Sequence, residues 1–161
     1  MKRSKHPISR RTFTASGLSA LASLGVSGLA FAQAQGTVRK PIPPEVEKAN
    51  LALVNDFCTA WGRKDMVKIA ASLADTCTFR LNQTRPPIVG KQAVVAAIKG
   101  FVDRGVDLKI LKSAVLGPVV LNERDDFIAA TADQPARTIH VHAGMFFVQD
   151  GLIVEWTDYS V

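Results

Sequence analysis

Carboxylates are missing from residues 1–34, although the same stretch carries Lys2, Arg3, Lys5, Arg10 and Arg11. Beyond it the 161-residue chain has no tandem repeat, no low-complexity tract and no second long apolar run. Solenoid architectures and a polytopic membrane protein are thereby set aside. Only two cysteines occur, Cys58 and Cys77, too few for a disulfide-stapled scaffold. An oxidising destination permits a bridge between them, but a domain of this size needs no staple, and two small buried hydrophobes are the preferred reading. No glycine-rich dinucleotide fingerprint is present, and no motif completes a set of metal ligands. No resident cofactor is expected.

The acid-free start has the layout of a secretory signal: a basic segment, a short apolar stretch, then small residues for cleavage. Ser9-Arg10-Arg11-Thr12-Phe13-Thr14 precedes a small-residue run from Ala15 to Ala32. Adjacent arginines followed by an aromatic indicate the twin-arginine type, an address read by a receptor. Ser16, Gly17, Ser19, Ser23, Gly25, Ser27 and Gly28 dilute the run, which makes it a poor permanent membrane span. Both Ala30-Phe31-Ala32 and Ala32-Gln33-Ala34 fit a cleavage site. The expected organisation is a signal over residues 1–34, a linker over 35–43 and one domain over 44–161. The expected destination is periplasmic or secreted, with the membrane met only during export. The chain holds 20 Lys and Arg against 14 Asp and Glu; five of the bases lie in the leader, leaving 15 against 14. A near-neutral domain gives no reason to expect nucleic acid as a partner.

In the remainder, Leu51, Val54, Cys58 and Trp61 recur at helical spacing from Pro44 to about Gly62. Asp65 can cap a second helix with Met66, Ile69, Ala70 and Leu73 on its apolar face. Thr76 to Asn82 reads as a strand, Arg85-Pro86-Pro87 as loop, and Gly90 precedes a third helix with Val94, Ala97, Ile98 and Phe101 on one face. Val106–Leu111, Ala114–Ile128 (broken at Gly117-Pro118), Thr138–Val148 and Leu152–Tyr159 are strand-like, and Asp150-Gly151 is a hairpin signal. Helices followed by an antiparallel meander predict an α+β domain, with helices on one face of a curved sheet and a pocket between them.

The run Asn122-Glu123-Arg124-Asp125-Asp126 places five polar residues in an otherwise apolar strand. Strand alternation puts Asn122, Arg124, Asp126 and Ile128 on one side, and Val154, Trp156 and Asp158 together on the last strand. If both sets face the concavity, a guanidinium lies between two carboxylates beside an indole. Such a fork can hold one carboxylate ionised while the other keeps a proton. A solvated charge cluster on an edge strand reads equally well from alternation alone.

These residues, with Gly144-Met145-Phe146-Phe147 and Asp150-Gly151-Leu152-Ile153-Val154-Glu155-Trp156-Thr157-Asp158-Tyr159, resemble the limonene-1,2-epoxide hydrolase family. Its E-R-x-D, G-V-F, D/E-G-K-I and W-R-D-Y signatures occur in this order. Asn82, Pro86-Pro87 and Gly90 likewise resemble its Y-x-N-x-P-x-P-P-x-x-G segment, and the similarity runs from about Leu51 to Tyr159. The resemblance implies a cone-shaped, curved mixed β-sheet like that of nuclear transport factor 2, in a homodimer. It also implies a cofactor-free, one-step opening of an epoxide by water, with a small molecule as substrate. Asp158 would take the proton from water, Asp126 would give one to the epoxide oxygen, Arg124 would bridge them, and Asn82 would help hold the water.

Two departures bear on the substrate. Arg80 stands where the family has a water-holding tyrosine, and His140 and His142 stand where it has aliphatic pocket residues. With Trp156 as a wall, Arg80, His140 and His142 predict a cavity suited to a polar or anionic molecule. His140 and His142 form an H-x-H pair, but no motif places a third ligand, and no metal is expected. A non-catalytic ligand-binding pocket and an isomerase or dehydratase of the same fold are the competing readings.

Overall fold

The computed structural model describes residues 41–160. The expected leader, its cleavage motifs and most of the linker lie outside the described residues. Three helices, α1 (Pro44–Gly62), α2 (Met66–Ala71) and α3 (Lys91–Asp103), pack on one sheet. Its strands are β1 (Leu73–Arg80), β2 (Ile88–Val89), β3 (Asp107–Leu116), β4 (Val119–Ile128), β5 (Arg137–Gln149) and β6 (Leu152–Tyr159). They lie in the order β2-β1-β6-β5-β4-β3. Among the described residues only the β1–β6 pairing is parallel, so the sheet is mixed, as the family resemblance implies.

Local chemistry fixes the joints. Asp65 accepts from the Lys68 amide at 2.9 Å and starts α2. Ser72 ends that helix, its hydroxyl donating to the Lys68 carbonyl at 2.9 Å while its own carbonyl accepts from Ile153 N. The chain therefore enters the sheet at Leu73, which belongs to β1 and not to the apolar face of α2 as expected from periodicity. The short strand β2 was not foreseen; Ile88 and Val89 pair with Phe79 and Thr78 directly after the proline loop. Asp150 (φ 51°) and Gly151 (φ 74°) make the tight β5–β6 turn, whose two left-handed residues match the twist of the flanking strands. Asn50 and Glu47 on α1 bond the carbonyl and amide of Gly117, pinning the helix to the β3–β4 turn.

The core lies between sheet and helices. Phe57, Trp61, Phe79, Phe146 and Trp156 pack edge-on or stacked around Trp156, with Phe79 at 4.2 Å between ring centroids. Each large side chain buried here contributes about 1.5–3 kcal/mol. Cys58 and Cys77 are buried and unbridged.

One irregularity decides which side chains meet the cavity. β4 alternates without interruption, but both neighbours carry an extra residue opposite Glu123. On β3, Ile110 pairs with Arg124 and Lys112 with Glu123; on β5, Val141 pairs with Arg124 and Gly144 with Asn122. Each bulge reverses the in–out parity of its strand. Above it Gly144 and Phe146 are buried; below it the buried residue is Val141, not its neighbours His140 and His142.

Candidate active site

Arg124, on β4, is fully buried. Its Nε donates to Asp126 Oδ1 at 2.7 Å, and its Nη2 donates to Asp158 Oδ2 at 2.6 Å and to Asp126 Oδ2 at 3.3 Å. Trp156 Nε1 donates to the other Asp158 oxygen at 2.6 Å. The third face of the fork, Nη1, donates to Asn122 Oδ1 at 3.1 Å. Sheet alternation thus delivers the expected trio, with the indole beside it.

Two ionised carboxylates against one guanidinium would leave the group with one negative charge in excess. Burial pushes the Asp126 and Asp158 carboxyls above the usual carboxylate range, and the opposing pull of Arg124 does not cancel it. Asp126 is raised further by the charge on Asp158. Asp158 instead receives a second stabilising donor from Trp156. Each carboxylate thus accepts two hydrogen bonds, and the asymmetry between them is the charge of Asp158 acting on Asp126. Burial disfavours the Arg124 cation, but Asp158 and Asp126 outweigh it and hold its pKa above the ordinary value. The neighbouring Cys58 thiol is pushed up to about 12, chiefly by burial, and stays neutral.

Asp126 and Asp158 open onto a cavity of about 70 Å³. Its other walls come from Trp61, Phe79, Leu81, Phe101, Ile139 and Trp156, with further aliphatic side chains of β3 and β4. Trp61 is buried, and its indole N–H has no partner among the described residues. A wider groove of about 800 Å³ beside the start of α3 shares no residue with this constellation.

Four residues expected at the site stand elsewhere. Cys77 and Phe79 are buried on β1 and Leu81 beyond it reaches the cavity, so Arg80 between them lies on the other face, in register with Thr157. Asn82 turns into the loop, where its Oδ1 accepts from the Thr84 amide at 3.1 Å and hydroxyl at 2.8 Å. The β5 bulge places His140 and His142 on the sheet's outer face. There His140 Nδ1 meets Asp125 Oδ1 at 2.8 Å, and the two imidazoles pack edge-on at 4.7 Å. The cavity is consequently apolar apart from its carboxylate end, which corrects the expectation of a polar, cationic pocket. Phe79, Leu81 and Ile139 take the positions expected of Arg80, Asn82 and the histidines. The apolar alternation Cys77, Phe79, Leu81 was readable in the sequence; the bulge was not.

A curved α+β cone enclosing an apolar cavity that ends in an arginine-bridged carboxylate pair defines a class of small-molecule catalytic or binding proteins. Residues 48–160 match the model of the limonene-1,2-epoxide hydrolase catalytic domain, and the chain belongs to that family. Among solved structures it is similar to an LEH-like epoxide hydrolase of M. tuberculosis, at 26% identity over 72% of this chain and 85% of that one, TM-score 0.64. A protein of Xanthomonas campestris provisionally named a polyketide cyclase matches at 21% identity over 71% and 92%, TM-score 0.62. One of Kribbella flavida provisionally named a ketosteroid isomerase matches at 17% over 71% and 79%, TM-score 0.62. The last two show the fold alone. A search of curated proteins returned no match.

Proposed function

We propose that the protein opens the epoxide of a small, apolar molecule with water, using Asp158 as general base and Asp126 as general acid. The observation that carries this reading is the Arg124 fork, which holds both carboxylates at one end of a hydrocarbon-lined cavity. Asp158 removes a proton from water as the water oxygen bonds to a ring carbon. The carbon–oxygen bond of the ring breaks, and the departing oxygen takes the Asp126 proton. A diol results; Asp158 now holds the proton and Asp126 the charge, so Arg124 faces the same total charge before and after. Arg124 stays protonated throughout, since both carboxylates hold its pKa up.

Cavity size and lining support a substrate smaller and less polar than the sequence departures suggested. A volume of about 70 Å³ is small and holds water or a compact molecule as it stands. A larger ring enters if rim residues such as Leu81 and Ile139, at 46% and 36% exposure, rotate outward. A panel of small aliphatic and aromatic epoxides, followed by mass spectrometry for diols, tests the proposal. Turnover of charged epoxides in preference to apolar ones would contradict it.

One observation favours a second reading. With Asn82 committed to Thr84 and with Phe79 and Leu81 lining that wall, the aspartates are the only carboxyl, amide or hydroxyl side chains around the cavity among the described residues. That environment suits proton transfer within a bound carbonyl compound as well as hydration. Deuterium entering a recovered ketone from D2O, without diol formation from any epoxide, would identify the protein as an isomerase. We also propose that residues 1–34 direct export. Retention of the uncleaved chain in the cytoplasm after Arg10→Lys and Arg11→Lys tests this; unchanged export would refute it.

A further inference from the structure

We propose that Asn122 and Gly144 are positioning residues for Arg124: Gly144 gives the guanidinium its seat against β5, and Asn122 takes Nη1, leaving Nε and Nη2 for the two aspartates. The inference rests on the acid–base reading of Asp126 and Asp158 but concerns residues assigned no part in it.

An arginine fork offers five donors and no acceptor. With Nε and Nη2 on the carboxylates, the Nη1 edge of a fully buried side chain must find an acceptor or remain unpaired. Asn122, 2% exposed, supplies it at 3.1 Å. The amide orientation is determined by its neighbours. Its oxygen must face the donor-only guanidinium, which turns its NH2 toward the Cys58 sulfur at 3.5 Å on α1. Cys58 is neutral, so it accepts that contact without adding charge.

Gly144 pairs directly with Asn122 across the β4–β5 ladder. A Cβ there would overlap both Arg124 Nη1 and Asn122 Oδ1, and would lie 3.1 Å from the Phe146 ring. The φ angle is ordinary, so the glycine is required by close approach rather than by backbone conformation. Glycine and amide together confine the fork to one orientation, with Nη2 spanning Asp158 and Asp126. The charged groups acting on the pair are Arg124 and Asp125 on β4, and the aspartates in turn help keep the Cys58 thiol on α1 neutral.

The test uses the full chain and no substrate: carboxyl-carbon NMR titration of Asp126 and Asp158, with hydrogen exchange of the Arg124 guanidinium N–H groups. Asn122→Leu, similar in shape but without an acceptor, is expected to raise both titrations and to speed Nη1 exchange by roughly tenfold or more. Asn122→Asp keeps an acceptor, so Nη1 protection should persist while the added negative charge raises the pair's titration. A folded Asn122→Leu protein with wild-type titration and wild-type exchange would overturn the proposal. If that variant does not fold, an unchanged titration in the near-isosteric Asn122→Asp overturns it equally. Failure to hydrate any epoxide would sink the proposed reaction and leave this result standing, so the two are separable.

Discussion

Replacing Arg124 by Met removes the single cation from a site that holds two carboxylates, and the consequence depends on pH. Four hydrogen bonds disappear: two to Asp126, one to Asp158 and one to Asn122. Asp158, 5% exposed, keeps only the Trp156 donor. Breaking a buried ion pair by deleting one partner costs about 3–5 kcal/mol. For a domain of this size that corresponds to a fall in Tm of roughly 10–20 °C near pH 7. Without Arg124, burial raises both carboxyls further. A carboxyl raised in the folded state contributes stability that is present below its unfolded pKa, near 3.9, and lost as pH rises through the folded pKa. The deficit of Arg124→Met should therefore be largest at neutral pH and shrink as the solution is acidified toward pH 4. Urea unfolding of wild type and variant from pH 4 to pH 8 measures it. A loss below about 1 kcal/mol at pH 7, or one of equal size at both ends of the range, would refute the reasoning.

Asp126→Asn removes a raised carboxyl and leaves Arg124 matched by Asp158 alone, so stability should fall less between pH 5 and pH 8 than in wild type; pH-dependent unfolding checks the slope. Trp156→Phe deletes the second donor to Asp158, so its carboxyl should rise and the acidic limb of the turnover profile should move to higher pH. Arg80→Ala and His142→Ala should leave turnover within about twofold of wild type, because both side chains lie on the other face of the sheet; a loss of more than tenfold would show that they reach the substrate. Phe79→Tyr introduces a hydroxyl beside the cavity that can hold water, and steady-state kinetics should show faster epoxide hydration in it than in wild type.

How far the sequence spoke for the structure depends on the range of the interactions involved. α1 kept its expected limits, and the Asp150-Gly151 and Gly117-Pro118 turns fell as expected, because helical periodicity, a proline start and left-handed turn residues are local. Arg124, Asp126 and Asp158 came together because β4 and β6 alternate regularly across the stretch that matters. The departures on β5 and β1 have separate origins. Parity along β5 is set by an extra residue that exists only relative to β4, and β1 takes its facing from packing of Phe79 on Trp156. The bulge is not written in the residues of β5 itself, whereas the apolar alternation of Cys77, Phe79 and Leu81 on β1 is. The family resemblance implies His140, His142, Arg80 and Asn82 at the cavity, and the fold turns all four away from it. Leu73 shows the same limit at a joint: helical periodicity continues through it, but Ser72 has already ended the helix.

The most direct test of the Asp126–Arg124–Asp158 assignment is single-turnover hydration of a small apolar epoxide in 18O-labelled water, comparing wild type with Asp126→Asn and Asp158→Asn. We expect one labelled oxygen in every diol formed by wild type in the first turnover, and a rate lower by about 10²–10⁴ in each variant while the fold is kept. Labelled diol produced at the wild-type rate by either folded variant would contradict the assignment.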